Sequence, residues 1–147
     1  SLFDFVMGDN GGSMQAVTDY LNIWADEVSR MEHFHLLRYE DLRANPEREM
    51  GRIVEFLGMQ ANAEYLKDTA EFASVENLRK KEQDNYFWRS GSRVQAKDVK
   101  DPNTFKVRKA KVGGYRAYFD DEQVAELMGM VDAKLLPAFG YTSAEAR

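Results

Sequence analysis

Only one short segment of the chain has the sequence of a β-strand, and it limits the folds that are available. Residues 33–39 are short and apolar-rich, whereas the rest of the chain shows helical spacing or loop composition. A single strand cannot pair its backbone groups or bury both of its faces. We therefore predict one slice of a parallel sheet, whose partner strands lie outside the chain or in a second copy of it.

Helices account for most of the remaining regular pattern. Apolar residues recur every three or four positions, which is the spacing of one helix face. Asn45 is followed by Pro46, and Asp120 is followed three residues later by Gln123; both pairs are typical of a helix start. Ser13 is suitably located to cap the first helix. We predict helices at 14–31, 45–57, 62–72, 74–82 and 120–135, and a long loop at 83–105.

The charge of the chain is unevenly distributed. Residues 79–116 carry 12 Lys and Arg against 4 Asp and Glu, although the net charge of the whole chain is −5. A concentrated basic stretch indicates either an anion-binding site or a solvated surface. Aromatic residues lie among these cations, which is also typical of nucleic-acid binding. Because the chain is acidic overall, we predict no nucleic-acid partner.

The composition excludes several kinds of site. The 147 residues include no cysteine, which rules out disulfides and thiolate zinc sites and favours a cytoplasmic location. No apolar run approaches about 18 residues, so we expect no membrane span. His33 and His35 lie two positions apart with no carboxylate or thiolate arranged beside them. We predict structural roles for both histidines and no metal site.

Three motifs, in order along the chain, carry a family resemblance. Residues 36–42 (LLRYEDL) and the helix start after them are similar to a strand-turn-helix of the sulfotransferases. Residues 72–80 (FASVENLRK) resemble the segment that follows in that family. Residues 107–119 (VRKAKVGGYRAYF) are similar to the family's Arg-Lys-Gly element, which is the most specific of the three.

The resemblance implies an α/β sulfotransferase fold, which is P-loop-like. The chain is then a mostly α-helical piece of that fold, with its strand at 33–39. Residues 1–147 correspond to the C-terminal part of a single domain, and the N-terminal half with the phosphate loop is absent. The family's catalytic base, often a His, also lies in that half. We therefore expect no catalytic residue in this chain and no activity from the chain alone.

The resemblance also implies the reaction. Members of the family transfer a sulfuryl group from 3′-phosphoadenosine 5′-phosphosulfate to an acceptor hydroxyl or amine and release adenosine 3′,5′-bisphosphate. No metal is required. The acceptor is expected to be a small molecule or a carbohydrate, and nothing in the sequence distinguishes between them.

Arg108 and Lys109 are matched by the resemblance to the residues that bind the 3′-phosphate of the donor. Arg offers a planar fork of donors and Lys a point charge, which together suit a phosphate. The glycine at Gly113 allows close approach of the backbone, so it is also a candidate donor-binding residue.

Three further residues match donor-binding positions of the family. Tyr39 corresponds to a tyrosine on the adenine side, although a core aromatic at a strand end explains it equally well. Ser74 also matches a residue beside the adenine, and a helix cap is its alternative role. Ser1 matches a serine that contacts the 3′-phosphate.

Departures from the family pattern leave a second function open. Ala110 stands where the family has a glycine, and Val75 where it often has a phenylalanine that packs on the adenine. The alternative is therefore a non-catalytic nucleotide-binding or interaction domain derived from the family. In either case we expect the isolated chain to self-associate, because the strand at 33–39 and the apolar face of the 14–31 helix need cover.

Overall fold

The computed structural model describes residues 1–8, 14–90, 96–98, 100–101, 104–107 and 110–141. Every regular element in these ranges is helical. The α-helices are α1 (Leu2–Met7), α2 (Met14–Val28), α3 (Tyr39–Ala44), α4 (Pro46–Phe56), α5 (Ala63–Phe72), α6 (Val75–Gln83) and α7 (Asp121–Lys134). Short 3-10 turns lie at Trp88–Ser90, Gly114–Ala117 and Pro137–Phe139.

The predicted strand at 33–39 is wrong. Within the described ranges no residue belongs to a β-strand; the backbone is irregular up to Arg38 and then enters α3 at Tyr39. Arg38 is extended, with φ −89° and ψ 141°, but an extended segment becomes a strand only when a neighbour pairs with it. Glu40 and Asp41 lie in the first turn of α3, where acidic side chains favour a helix start. All regular structure in the described part of the chain is therefore helical, and the expectation of a sheet represented here by one strand is corrected.

The predicted helix starts are confirmed where the structure describes them. The Asn45 side chain accepts a hydrogen bond from the backbone N–H of Arg48 at 3.1 Å and caps α4. Asp120 and Gln123 form a reciprocal capping box at the start of α7. Ser13 and parts of the predicted 83–105 loop lie outside the described residues.

The chain divides into two compact units, of which unit 1 comprises residues 1–36 and 113–147. In this unit α2 contacts both α1 and α7. Its buried apolar side chains come mainly from one face of α7, as the spacing predicted: Val124, Leu127, Val131 and, beyond the helix, Phe139. Asn22 joins α2 to the end of α7, because its side chain donates to the Lys134 carbonyl at 2.7 Å and accepts from the Leu136 N–H at 2.8 Å.

Unit 2 comprises residues 37–112 and contains α3 to α6. Helix α4 packs between α3 and α5. Gly51 of α4 is buried there, and a Cβ at this position would lie 3.4 Å from a methyl carbon of Leu66. Two of the buried side chains in this unit are carboxylates, Glu49 and Glu82, so its interior depends on charged and hydrogen-bonded contacts as well as on apolar packing.

Among the described residues, no helix is both long enough and apolar enough to cross a membrane.

Candidate functional site

Arg108 and Lys109, the predicted phosphate-binding pair, lie outside the described residues. Their role therefore stays a prediction. The residues on both sides of the pair are described, up to Val107 before it and from Ala110 after it. Both flanks belong to unit 2.

The flank before the pair is bound to α6 through Glu82. This side chain is only 4% exposed. One of its carboxylate oxygens accepts a hydrogen bond from the backbone N–H of Lys106 at 2.7 Å, and the other accepts from the N–H of Val107 at 3.1 Å. A buried carboxylate is tolerated when its oxygens are hydrogen-bonded in this way.

The flank after the pair begins with a left-handed residue. Ala110 has a φ of +44°, a conformation in which an L side chain is strained and glycine is not. Ala110 is also the position at which the sequence motif expects a glycine. The backbone therefore keeps the shape that a glycine would favour, although the side chain does not suit it.

A groove in unit 2 lies between α3 and the segment that follows the basic pair. Its volume is about 690 Å³, and it is open to solvent. The lining side chains are Glu40, Arg43 and Ala44 from α3, and Ala110, Lys111 and Val112 from the segment. Two of the six lining residues, Arg43 and Lys111, are cations and one, Glu40, is an anion, so the lining carries a net positive charge.

Tyr39 is the first residue of α3 and immediately precedes Glu40, which lines the groove. Its side chain is 47% exposed, so Tyr39 does not belong to the core of unit 2. Its position beside an adenine stays a prediction. The ring does not itself line the groove. Tyr39 is thus next to the groove in the chain and accessible to a ligand.

Comparison with known proteins decides the family to which these residues belong. Residues 2–136 match the family model of the sulfotransferase domain. The chain belongs to the sulfotransferase family. The resemblance predicted from the three motifs is therefore confirmed.

The chain is similar to several curated plant sulfotransferases. Cytosolic sulfotransferase 10 of Arabidopsis thaliana is 30% identical over 120 residues, which cover 78% of this chain and 33% of the relative. Cytosolic sulfotransferase 15 of the same plant is 32% identical over 121 residues, covering 78% and 31%. Flavonol 4′-sulfotransferase of Flaveria chlorifolia is 29% identical over 120 residues, covering 78% and 36%. The chain spans about a third of the length of these relatives. No solved structure matches the chain significantly.

In this sulfotransferase chain Ser74 caps α6, which confirms the alternative role given to it. Its hydroxyl oxygen accepts a hydrogen bond from the backbone N–H of Asn77 at 3.3 Å. The cap lies at the start of the helix that carries Glu82. Whether Ser74 also contacts an adenine is not tested by this geometry and stays a prediction.

Ser1 and Gly113 belong to unit 1. Ser1 caps α1, its hydroxyl accepting from the Asp4 N–H at 3.1 Å. Gly113 has a φ of +68° and precedes the turn at Gly114–Ala117, so its backbone conformation favours a glycine. The predicted contacts of both residues with a 3′-phosphate stay predictions.

Neither histidine is part of a cluster of possible metal ligands. His33 is exposed and His35 is half-buried. Across the part of the chain that the structure describes, no three His, Cys, Asp or Glu side chains are grouped so as to hold a metal ion.

Sequence reasoning missed Glu82, Arg43 and Lys111. Glu82 follows the cations Lys80 and Lys81 and is one of few acids in the basic stretch, which was the available signal. Its hydrogen-bond partners lie 24 and 25 residues away, so no local pattern indicates them. Arg43 and Lys111 come together only through the packing of unit 2.

Proposed function

We propose that this chain forms the 3′-phosphate and adenine side of the donor site of a sulfotransferase. The donor is 3′-phosphoadenosine 5′-phosphosulfate, and the product that leaves is adenosine 3′,5′-bisphosphate. The observation that carries this proposal is the groove between α3 and residues 110–112, which directly follows the basic pair in a chain of the sulfotransferase family.

The charges of the groove fit a phosphate ester. Arg43 and Lys111 line it, and Arg108 and Lys109 precede its lining segment by sequence. Cations fixed by a folded backbone bind phosphate more favourably than mobile ones, because little order has to be gained on binding. The exposed ring of Tyr39, next to the groove, offers a face on which an adenine can stack.

The reaction is the transfer of a sulfuryl group. An acceptor oxygen or nitrogen forms a bond to sulfur, the bond from sulfur to the 5′-phosphate oxygen breaks, and the proton of the acceptor passes to a base. We assign no residue of this chain as that base. We propose that the phosphate loop and the base belong to the rest of a longer domain, of which residues 1–147 are the C-terminal part, and that this chain alone is inactive.

The proposed acceptor is a small molecule with a hydroxyl or amine, and a carbohydrate is the other possibility. One relative is named a flavonol 4′-sulfotransferase and another a flavonol 3-sulfotransferase, which favours a phenolic hydroxyl. Three relatives are named cytosolic sulfotransferases, and we propose a cytoplasmic location on that basis.

A non-catalytic nucleotide-binding domain is the second candidate function. The observation that favours it is Ala110, a residue with a side chain whose backbone is left-handed, next in sequence to the predicted phosphate-binding pair. If the site has lost catalysis, nucleotide binding is retained while transfer is lost even in the longest natural form of the protein.

A pair of assays tests these proposals. Equilibrium titration of the chain with adenosine 3′,5′-bisphosphate measures binding, and labelled donor incubated with the chain and a flavonol, a simple phenol or a monosaccharide measures transfer. We expect saturable binding and no transfer. Transfer by the chain alone contradicts its predicted inactivity, and a lack of binding contradicts the donor-site assignment.

A further inference from the structure

The contacts of Glu82 are not explained by the proposed binding of the nucleotide to cations. It is a carboxylate buried on α6, within the most basic stretch of the chain. Both of its oxygens are used, and both accept from backbone N–H groups, at 2.7 Å from Lys106 and 3.1 Å from Val107. The bonds are therefore made with the main chain, and they specify where the backbone runs regardless of the side chains at these two positions.

A second contact holds the same segment on the same helix. The guanidinium group of Arg79, one helical turn before Glu82, lies 5.5 Å from the centre of the Phe105 ring. Phe105 itself is buried. Helix α6 thus contacts three consecutive residues: Phe105 through its ring, and the next two through their backbone amides. We call residues 105–107 the strap.

The strap ends at the residue that is covalently bonded to Arg108. After the basic pair, Ala110 and Lys111 line the groove with α3. In sequence, the pair thus follows a segment that is bound to α6 and precedes a segment that lines the groove.

We propose that Glu82 is a positioning residue for the donor site: it fixes the strap and so presents Arg108 and Lys109 to the phosphate. This inference rests on the proposed function. Without the carboxylate the strap loses two hydrogen bonds, and the binding of the nucleotide has to order the backbone that Glu82 now orders beforehand. When one backbone residue has to be ordered on binding, the entropic cost lowers the affinity by about tenfold.

The test compares two buried glutamates in unit 2. Glu82→Gln keeps the shape of the side chain but replaces one acceptor oxygen with a donor that faces an N–H group, and Glu82→Asp withdraws the carboxylate by one methylene group. The matched control is Glu49→Gln, because Glu49 is also buried but bonds to Arg48 and Arg52 on its own helix. Each variant and the wild-type chain are titrated with adenosine 3′,5′-bisphosphate, and amide hydrogen exchange is measured at residues 106–109.

We expect both Glu82 variants to bind adenosine 3′,5′-bisphosphate about tenfold more weakly than wild type and to exchange amide hydrogens faster at residues 106–109. The affinity of Glu49→Gln should stay within about twofold of wild type, because Glu49 does not contact the strap. If wild type binds and the Glu82 variants bind equally well, the positioning role is wrong and the donor site stands. If wild type does not bind, the donor site and the positioning role are both wrong. Should Glu82→Gln fail to fold, Glu82→Asp and the protection of the Lys106 and Val107 amides in wild type decide the matter, since unprotected amides contradict the inference.

Discussion

Arg43 on α3 and Lys111 line the same groove of unit 2, although they are far apart in the chain. Arg43 lies outside the motif at residues 107–119, and Lys111, although inside it, is not one of the two residues that the motif matches to the 3′-phosphate. Their presence in one groove gives the site a positive character that does not depend on Arg108 and Lys109, and it allows the groove to be tested separately from the motif.

Neutralising either groove cation is expected to weaken the binding of adenosine 3′,5′-bisphosphate. Arg43→Gln and Lys111→Gln are each predicted to cost about 0.2–1 kcal/mol, the range for an exposed ion pair, and the loss should shrink as salt is added. Titration at low and at moderate ionic strength measures both effects. The control is Lys67→Gln, because Lys67 is exposed on α5 and does not line the groove. Equal losses in the control and the groove variants contradict this prediction.

Truncating Arg108 is expected to have a larger effect than truncating a groove cation. Arg108→Ala should weaken the binding of adenosine 3′,5′-bisphosphate by about 1.5–3 kcal/mol, the range for a hydrogen bond to a charged group. Arg30→Ala is the matched control, since Arg30 is an exposed arginine of unit 1 that pairs with Glu27. Calorimetric titration gives both affinities. An Arg108→Ala variant that binds as tightly as the control removes this residue from the donor site.

Replacing Ala110 with glycine is expected to stabilise the chain. The left-handed backbone at Ala110 costs an L residue about 1–2 kcal/mol, and the greater entropy of glycine in the unfolded state offsets part of that gain. Ala110→Gly should therefore raise the free energy of unfolding by up to about 1 kcal/mol.

The control for Ala110→Gly is a substitution that is expected to lower the free energy of unfolding. Ala70 lies inside α5, where glycine costs about 1 kcal/mol relative to alanine. Urea denaturation of both variants measures the two changes. If Ala110→Gly destabilises the chain as Ala70→Gly does, the strain inferred at Ala110 is absent.

The exposed apolar face of α2 is expected to make the chain self-associate. Val17 is 53% exposed, Ile23 is 63% exposed, and Tyr20 contacts Trp24 edge to face at 6.2 Å on the same helix. An apolar face of this kind is stabilised when another surface covers it. Sedimentation velocity over a range of concentrations should reveal dimers or larger species.

A charge on that face should reduce the self-association. Ile23→Lys places an ammonium group within the apolar patch, whereas Asp26→Lys introduces the same side chain at an exposed polar position of α2 and serves as control. A wild-type chain that stays monomeric at high concentration is the outcome that contradicts this prediction.

Local hydrogen bonds explain which parts of the fold were predictable. The caps at Asn45 and Asp120 each join groups three residues apart, so the pattern of a few residues contains the whole interaction. The buried face of α7 was predictable for a similar reason, because helical spacing determines which side chains share a face. The starts of α4 and α7 follow from these caps, whereas the helix predicted at 14–31 is shorter in the structure and ends at Val28.

Long-range contacts explain what was not predictable. Residues 33–39 have the composition of a strand, but a strand also needs a partner, and within the described residues the chain provides none. Glu82 bonds to amides 24 and 25 residues away, and its role cannot be inferred from its neighbours in sequence. The groove likewise arises only when α3 and residues 110–112 come together.

The most direct measurement compares two nucleotides that differ only at the 3′ position. Adenosine 3′,5′-bisphosphate and adenosine 5′-phosphate are titrated into the wild-type chain under the same conditions. If this chain provides the 3′-phosphate side of a sulfotransferase donor site, the bisphosphate binds more tightly by about 1.5–3 kcal/mol, and Arg108→Ala removes most of that difference. Equal affinity for the two nucleotides, or no binding of either, contradicts the account.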